Sequence, residues 1–172
     1  MIELTLLTIL RDFFIAFIVG FCWAILFGSP KRILWVAGLM GGMGHSIRFI
    51  FLELGFGPIS ATLVGSVSIG LVGIFVAHKV HNPPVVFTMP ACITMIPGMF
   101  AYKTMLGGIK STDLSIIEND PHILVETAHN LMLTMSLLFT LAIGICIGAL
   151  LFRKSSVRDI SVKDLRNIVK KD

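Results

Sequence analysis

Five long apolar runs set the rhythm of the chain, at about 2–27, 33–54, 59–80, 85–106 and 121–152. Each approaches or exceeds the ~20 helical residues, at ~1.5 Å apiece, that cross ~30 Å of hydrocarbon. The breaks between them are short and made of turn formers: Gly28-Ser29-Pro30, then Gly55-Phe56-Gly57-Pro58, then Pro83-Pro84. Only the last break is long, a polar and acidic loop over 107–120. Asp120-Pro121 then supplies an N-cap and a first helical residue for the fifth run. The pattern predicts an all-α polytopic membrane protein, a bundle of about five transmembrane helices over 1–152. A tail over 153–172 follows, in which Ser161 would cap a short amphipathic helix with Val162, Leu165, Ile168 and Val169 on one face.

Composition sharpens this picture and removes others. Of 172 residues, 55% are hydrophobic and 14% charged, where soluble domains carry about 25% charged residues. The mean hydropathy is +0.91, and no stretch is left over for a soluble core or a second domain. Net charge is +4, but seven of the fourteen Lys and Arg residues fall in the final twenty. That placement suits a cytoplasmic tail facing anionic headgroups and argues against nucleic acid. Lys31, Arg32, Lys79 and the tail share one side, and Glu53, Lys110, Asp113, Glu118 and Asp120 share the other. The excess of basic residues puts the C-terminus in the cytoplasm and, over five spans, the N-terminus outside. Met1-Ile2-Glu3 has neither a basic leader region nor a cleavage site, so the first run reads as a retained helix.

Cys22, Cys92 and Cys146 sit singly inside apolar runs, as small packing residues do. His78-x-x-His81 lacks a third ligand, so no metal, cofactor or enzymatic chemistry is expected. Small residues recur at four-residue spacing, at Ala61 and Gly65, Ser66 and Gly70, Gly73 and Ala77, and Gly144 and Gly148. Such spacing lets helices approach closely in lipid.

Charged groups inside the apolar runs cost about 3 kcal/mol each unless paired or hydrated, so Arg11, Asp12, His45, Arg48 and Lys103 need a reason. Counted from the basic ends of the helices, Asp12 and Arg48 lie about 23 Å up, His45 about 18 Å and Pro97 about 20 Å. His45 and Arg48 share a helix face, and Asp12 at matching depth is the expected counter-charge for Arg48. Either the two form a structural ion pair, or Arg48 anchors a substrate carboxylate, which its guanidinium matches bidentately. His45 would then donate to substrate or carry a proton, histidine being the side chain that ordinarily titrates near neutral pH. Arg11 faces away from Asp12 and snorkels. In the fourth run, Pro97 cannot donate to the carbonyl of Ile93 and Gly98 loosens the same place, predicting a break and a new helix start at Met99 with amides suited to an anion. Tyr102 and Lys103 lie higher, near the interface. Glu126, His129, Asn130 and Thr134 form one stripe of the fifth helix. Glu126 lies about 39 Å up, and Asn130 would line an outer vestibule or simply a wet helix end.

The run Gly38-Leu39-Met40-Gly41-Gly42-Met43-Gly44-His45-Ser46-Ile47-Arg48, followed by Met95-Ile96-Pro97-Gly98-Met99-Phe100-Ala101-Tyr102, resembles the threonine/serine exporter family. The likeness is greatest to the short split form, the small subunit of a two-component exporter implicated in succinate efflux, and it covers about 12–150. It implies a multi-pass protein of the bacterial cytoplasmic membrane that moves small carboxylates or hydroxy amino acids outward. It also implies a larger partner subunit with five further spans and a cytoplasmic N-terminal domain, the inverted counterpart of this chain, with the substrate site between them. The competing expectation is an assembly subunit that never touches substrate.

Overall fold

The structure, a computed structural model, describes residues 2–151. Over these residues the chain forms seven helices and no strand: α1 Ile2–Leu26, α2 Lys31–Glu53, α3 Pro58–Val80, α4 Val85–Ile93, α5 Gly98–Lys110, α6 Leu114–Asn119 and α7 His122–Leu151. Four are long and apolar enough to cross a membrane, and α4 with α5, bent by 60° at the break, passes the same test as a pair, as a broken span or a re-entrant loop. The fourth span extends one turn past the expected end at 106, and the following polar loop contains the short α6. The tail over 153–172 and its expected amphipathic helix lie outside the described residues.

Turn chemistry explains where the helices stop. Gly28 and Gly55 take left-handed φ values of 66° and 87°, a conformation that costs glycine least. After Gly55, the Phe56 amide donates back to the Phe51 carbonyl at 3.1 Å and the two rings pack 5.3 Å apart. Backbone bond and apolar contact together make a Schellman-type stop. At the start of α7, the Asp120 carboxylate accepts the His122 amide at 3.2 Å, the expected cap.

Two prolines interrupt the fourth span, and the chain resolves each differently. Pro90 lies inside α4 and cannot donate to the Val86 carbonyl. The Ser29 hydroxyl donates there instead, at 3.2 Å, tying the α1–α2 turn to α4. Pro97 ends the helix outright. The Ile93 carbonyl that it cannot serve receives the Ile96 amide at 3.1 Å, and α5 departs from Gly98.

Glycines decide the packing. A Cβ on Gly38 would lie 3.0 Å from the Phe17 carbonyl oxygen, and one on Gly42 3.0 Å from that of Phe13, so α1 and α2 run antiparallel with backbones nearly touching. The α4 end wedges into the same surface, its Thr94 methyl and Ala91 facing Gly41. Against α3, Gly73 meets Thr88 and Gly65 meets Met95, so α4 ascends antiparallel to α3. Gly144 of α7 abuts Ser66, and Gly107 of α5 abuts Thr127. Ala24, Ile33, Ala37, Phe87 and Leu141 form the buried core between α1, α2, α4 and α7. Outward faces are apolar too: Leu7, Phe14, Phe75, Met132 and Phe139 are all exposed, as expected of helices solvated by lipid. Of the cysteines, Cys92 packs inside as expected, whereas Cys22 and Cys146 lie on outward faces.

Candidate functional site

The glycine surface of α2 ends at Gly44, and chemistry begins one residue later. His45 Nδ1 donates to Asp12 Oδ2 at 2.7 Å, bridging α2 to α1, and both side chains are about a quarter exposed (24% and 25%). Asp12 is thus partnered by His45 and not by Arg48, contrary to the depth estimate. The packing register is the reason. Gly38, Gly41 and Gly42 lock against Phe17, Ala16 and Phe13, which brings residue 45 opposite residue 12 and carries Arg48 nearly a turn beyond. Counting from helix ends assumed that both helices start level, and the real start is set by glycine contacts.

Arg48 occupies a different environment. Its Nε is buried without a hydrogen-bond partner among the described residues, although the Asp12 charge acts on it through space. Around its stem stand Gly65 of α3 and Met95 of the α4–α5 break: a Cβ on Gly65 would sit 3.4 Å from the Arg48 Cβ and 3.0 Å from the Met95 sulfur. Met95 lies just before Pro97, so the arginine rises beside the break. Ser46 Oγ is the other buried polar atom there without a partner. Sequence reading passed over Ser46 because a helical serine normally donates to its own preceding turn, and nothing in its position announced the exception.

At the break, Pro97 is buried and Gly98 exposed. The Gly98 amide turns back to the Ile96 carbonyl at 2.8 Å and the Ala101 amide to that of Pro97 at 3.1 Å. Met99 and Phe100 are left as the first-turn amides that a helix start presents to an acceptor. A side chain at Gly98 would meet nothing within 4 Å, so its role is not conformational. It borders open space.

Asp12 and His45 therefore meet between α1 and α2, while the Arg48 stem and Met95 share Gly65 as a neighbour, two residues before Pro97. Tyr102 does not join them; it is 63% exposed on α5. Nor does Asn130, which lines a separate cavity of about 200 Å³ between α5 and α7. Asn130 lies about 15 Å along α7 from Thr140, whose carbonyl accepts the Ser66 hydroxyl beside Gly65. His78 Nδ1 donates to the Ile74 carbonyl at 2.8 Å, and no set of three metal-capable side chains occurs among the described residues.

A family model described as threonine/serine exporter, ThrE, matches residues 12–151. The chain belongs to the threonine/serine exporter family. The matched stretch takes in α1 from Asp12 onward and all of the later helices, with His45, Arg48 and the break. Membership makes this exporter-family chain a multi-pass membrane transport protein. No solved structure matches it at a significant level.

Proposed function

We propose that this threonine/serine exporter family member is a membrane subunit of a secondary exporter for small carboxylate-bearing solutes, threonine, serine or succinate. Its site is the Arg48 side of the break. The observation that carries the reading is the buried Arg48 Nε without a partner among the described residues, on a stem that shares Gly65 as a neighbour with Met95, two residues before Pro97. A guanidinium held in a membrane bundle without a hydrogen-bonded acceptor is costly, and an incoming carboxylate satisfies it bidentately. Met99 and Phe100 amides at the positive end of α5 add a second hold on the same anion. Asp12 orients His45 through Nδ1, leaving Nε2 as the group that exchanges a proton with solute or water.

The Lys31–Lys79 end faces the cytoplasm in this reading, as the basic loops favour, and the membrane is the bacterial cytoplasmic one. The chain acts with a larger subunit bringing five inverted spans. In support, α1 packs on one side only, against α2 and α4, and most of its remaining surface is apolar and exposed.

The test is efflux of radiolabelled threonine, serine and succinate from proteoliposomes holding the co-expressed pair. Arg48→Ala is expected to lower efflux of the true substrate at least roughly a hundredfold, as loss of a desolvated charge pair of about 3 kcal/mol or more would. Arg48→Lys should recover only part. Equal rates for Arg48→Ala and wild type would remove the anchor and leave the assembly-subunit reading.

A further inference from the structure

The α5–α7 crevice stands apart from the Arg48 cluster and is built of different chemistry. Gly107 lets α5 close onto Thr127, and beside that contact a cavity of about 200 Å³ opens. Lys103 and Lys110 line it from α5, Glu126 and Asn130 from α7. Among the described residues, neither lysine nor Glu126 makes an ion pair, although they border one cavity. Asn130 is 5% exposed. Its backbone carbonyl accepts the Thr134 hydroxyl, but its side-chain amide bonds no described residue. A largely buried asparagine on the wall of a cavity that also carries unpaired charges of both signs makes a crevice suited to a small polar solute.

We infer that this crevice binds a small zwitterionic solute, an α-amino acid, with its carboxylate at Lys103 and Lys110, its ammonium at Glu126 and a further polar group at Asn130. Volume limits the occupant. Drug-sized ligands take ~300–1,000 Å³, so this cavity suits a molecule of roughly ten heavy atoms or fewer. Charge limits it further: a dicarboxylate would place its second anion against Glu126, a like-charge contact that the site resists. Lysine suits this role because its ammonium is a flexible point charge that keeps water nearby and releases an anion readily. The inference rests on the export reading for its class of solute and on side chains that the Arg48 site does not use.

Binding of radiolabelled L-threonine to the protein in phosphatidylcholine nanodiscs tests it, measured on the Arg48→Ala background so that only the crevice reports. Saturable binding is expected. Glu126→Gln should weaken threonine roughly tenfold or more while leaving 2-hydroxybutyrate, which lacks the amine, unchanged. Lys103→Gln with Lys110→Gln should weaken both ligands, and the double Lys→Arg variant should keep them. All three positions are exposed, and a monodisperse elution profile checks that each variant folds. Absence of binding, equal affinities across the variants, or succinate displacing threonine better than L-serine does while Glu126 is intact would overturn the assignment. So would loss of threonine binding on adding phosphatidylethanolamine, which would make a lipid headgroup the occupant. Normal export by Arg48→Ala together with charge-dependent threonine binding would sink the central site and uphold this one.

Discussion

Asp12 and His45 hold a hydrogen bond between two helices at 2.7 Å. Membrane hydrogen bonds are worth only about 0.6 kcal/mol on average, because an unfolded helix in lipid finds other partners. A double-mutant cycle of Asp12→Asn and His45→Gln should therefore show a coupling of about 1 kcal/mol in unfolding free energy. Transport should fall much further, because orientation of the imidazole is lost. A coupling near zero would mean the contact is incidental. Two glycines make a sharper contrast. Gly65→Ala forces a Cβ to within 2.9 Å of the Gly44 carbonyl, an overpacking expected to cost about 1–3 kcal/mol in thermal or denaturant unfolding. Gly98→Ala enters open space and should change stability by no more than about 0.5 kcal/mol. Gly98 thus departs from its expected part: Pro97 makes the break, and the glycine beside it leaves room.

At the scale of elements, the broken fourth span is the feature that sequence expressed most plainly. Pro97 removes a donor whatever surrounds it, so the end of α4 needed no tertiary information. Pro90 removes a donor in the same way, yet α4 continues through it. The difference lies with Ser29, whose hydroxyl satisfies the Val86 carbonyl from another part of the chain. Ser29→Ala should cost about 1 kcal/mol by stranding that carbonyl. In a Pro90→Ala background the same change should cost almost nothing, because an amide at position 90 then serves Val86. Thermal unfolding of the four proteins in nanodiscs reads the cycle, and additive effects would break the link. The α6 turn inside the acidic loop was not legible, since its Asp113 carboxylate takes the Ser115 amide and hydroxyl locally, a pattern that turns and helix starts share.

For the whole molecule, a reading of five crossings, with α4–α5 as one broken span, puts the Gly28 and His81 turns at one end and the Gly55 turn with 111–121 at the other. Single cysteines on a cysteine-free background test this in intact and permeabilised spheroplasts. Thr112→Cys should react with a membrane-impermeant maleimide from outside, and Lys79→Cys only after permeabilisation. Both residues are exposed. The reverse result would invert the proposed orientation, and labelling of both from one side would make α4–α5 a re-entrant hairpin instead of a span.

Sequence alone determined what depends on solvent and on local covalent constraint. The four long spans and the bent α4–α5 pair follow from run length, the stops from Gly28 and Gly55, the α7 start from Asp120, and the break from Pro97. It also marked Asp12, His45 and Arg48 as costly, because a charge in hydrocarbon needs a partner in any fold. Tertiary structure alone decided who meets whom. The Asp12 partner is chosen by a helix register that glycine-to-carbonyl contacts set to within a residue, and a shift of three residues would have given the aspartate to Arg48. Likewise Asn130 and Lys103 share a cavity only because α5 leaves the break at 60° and comes to rest on α7. No residue spacing along a single helix records an angle between two.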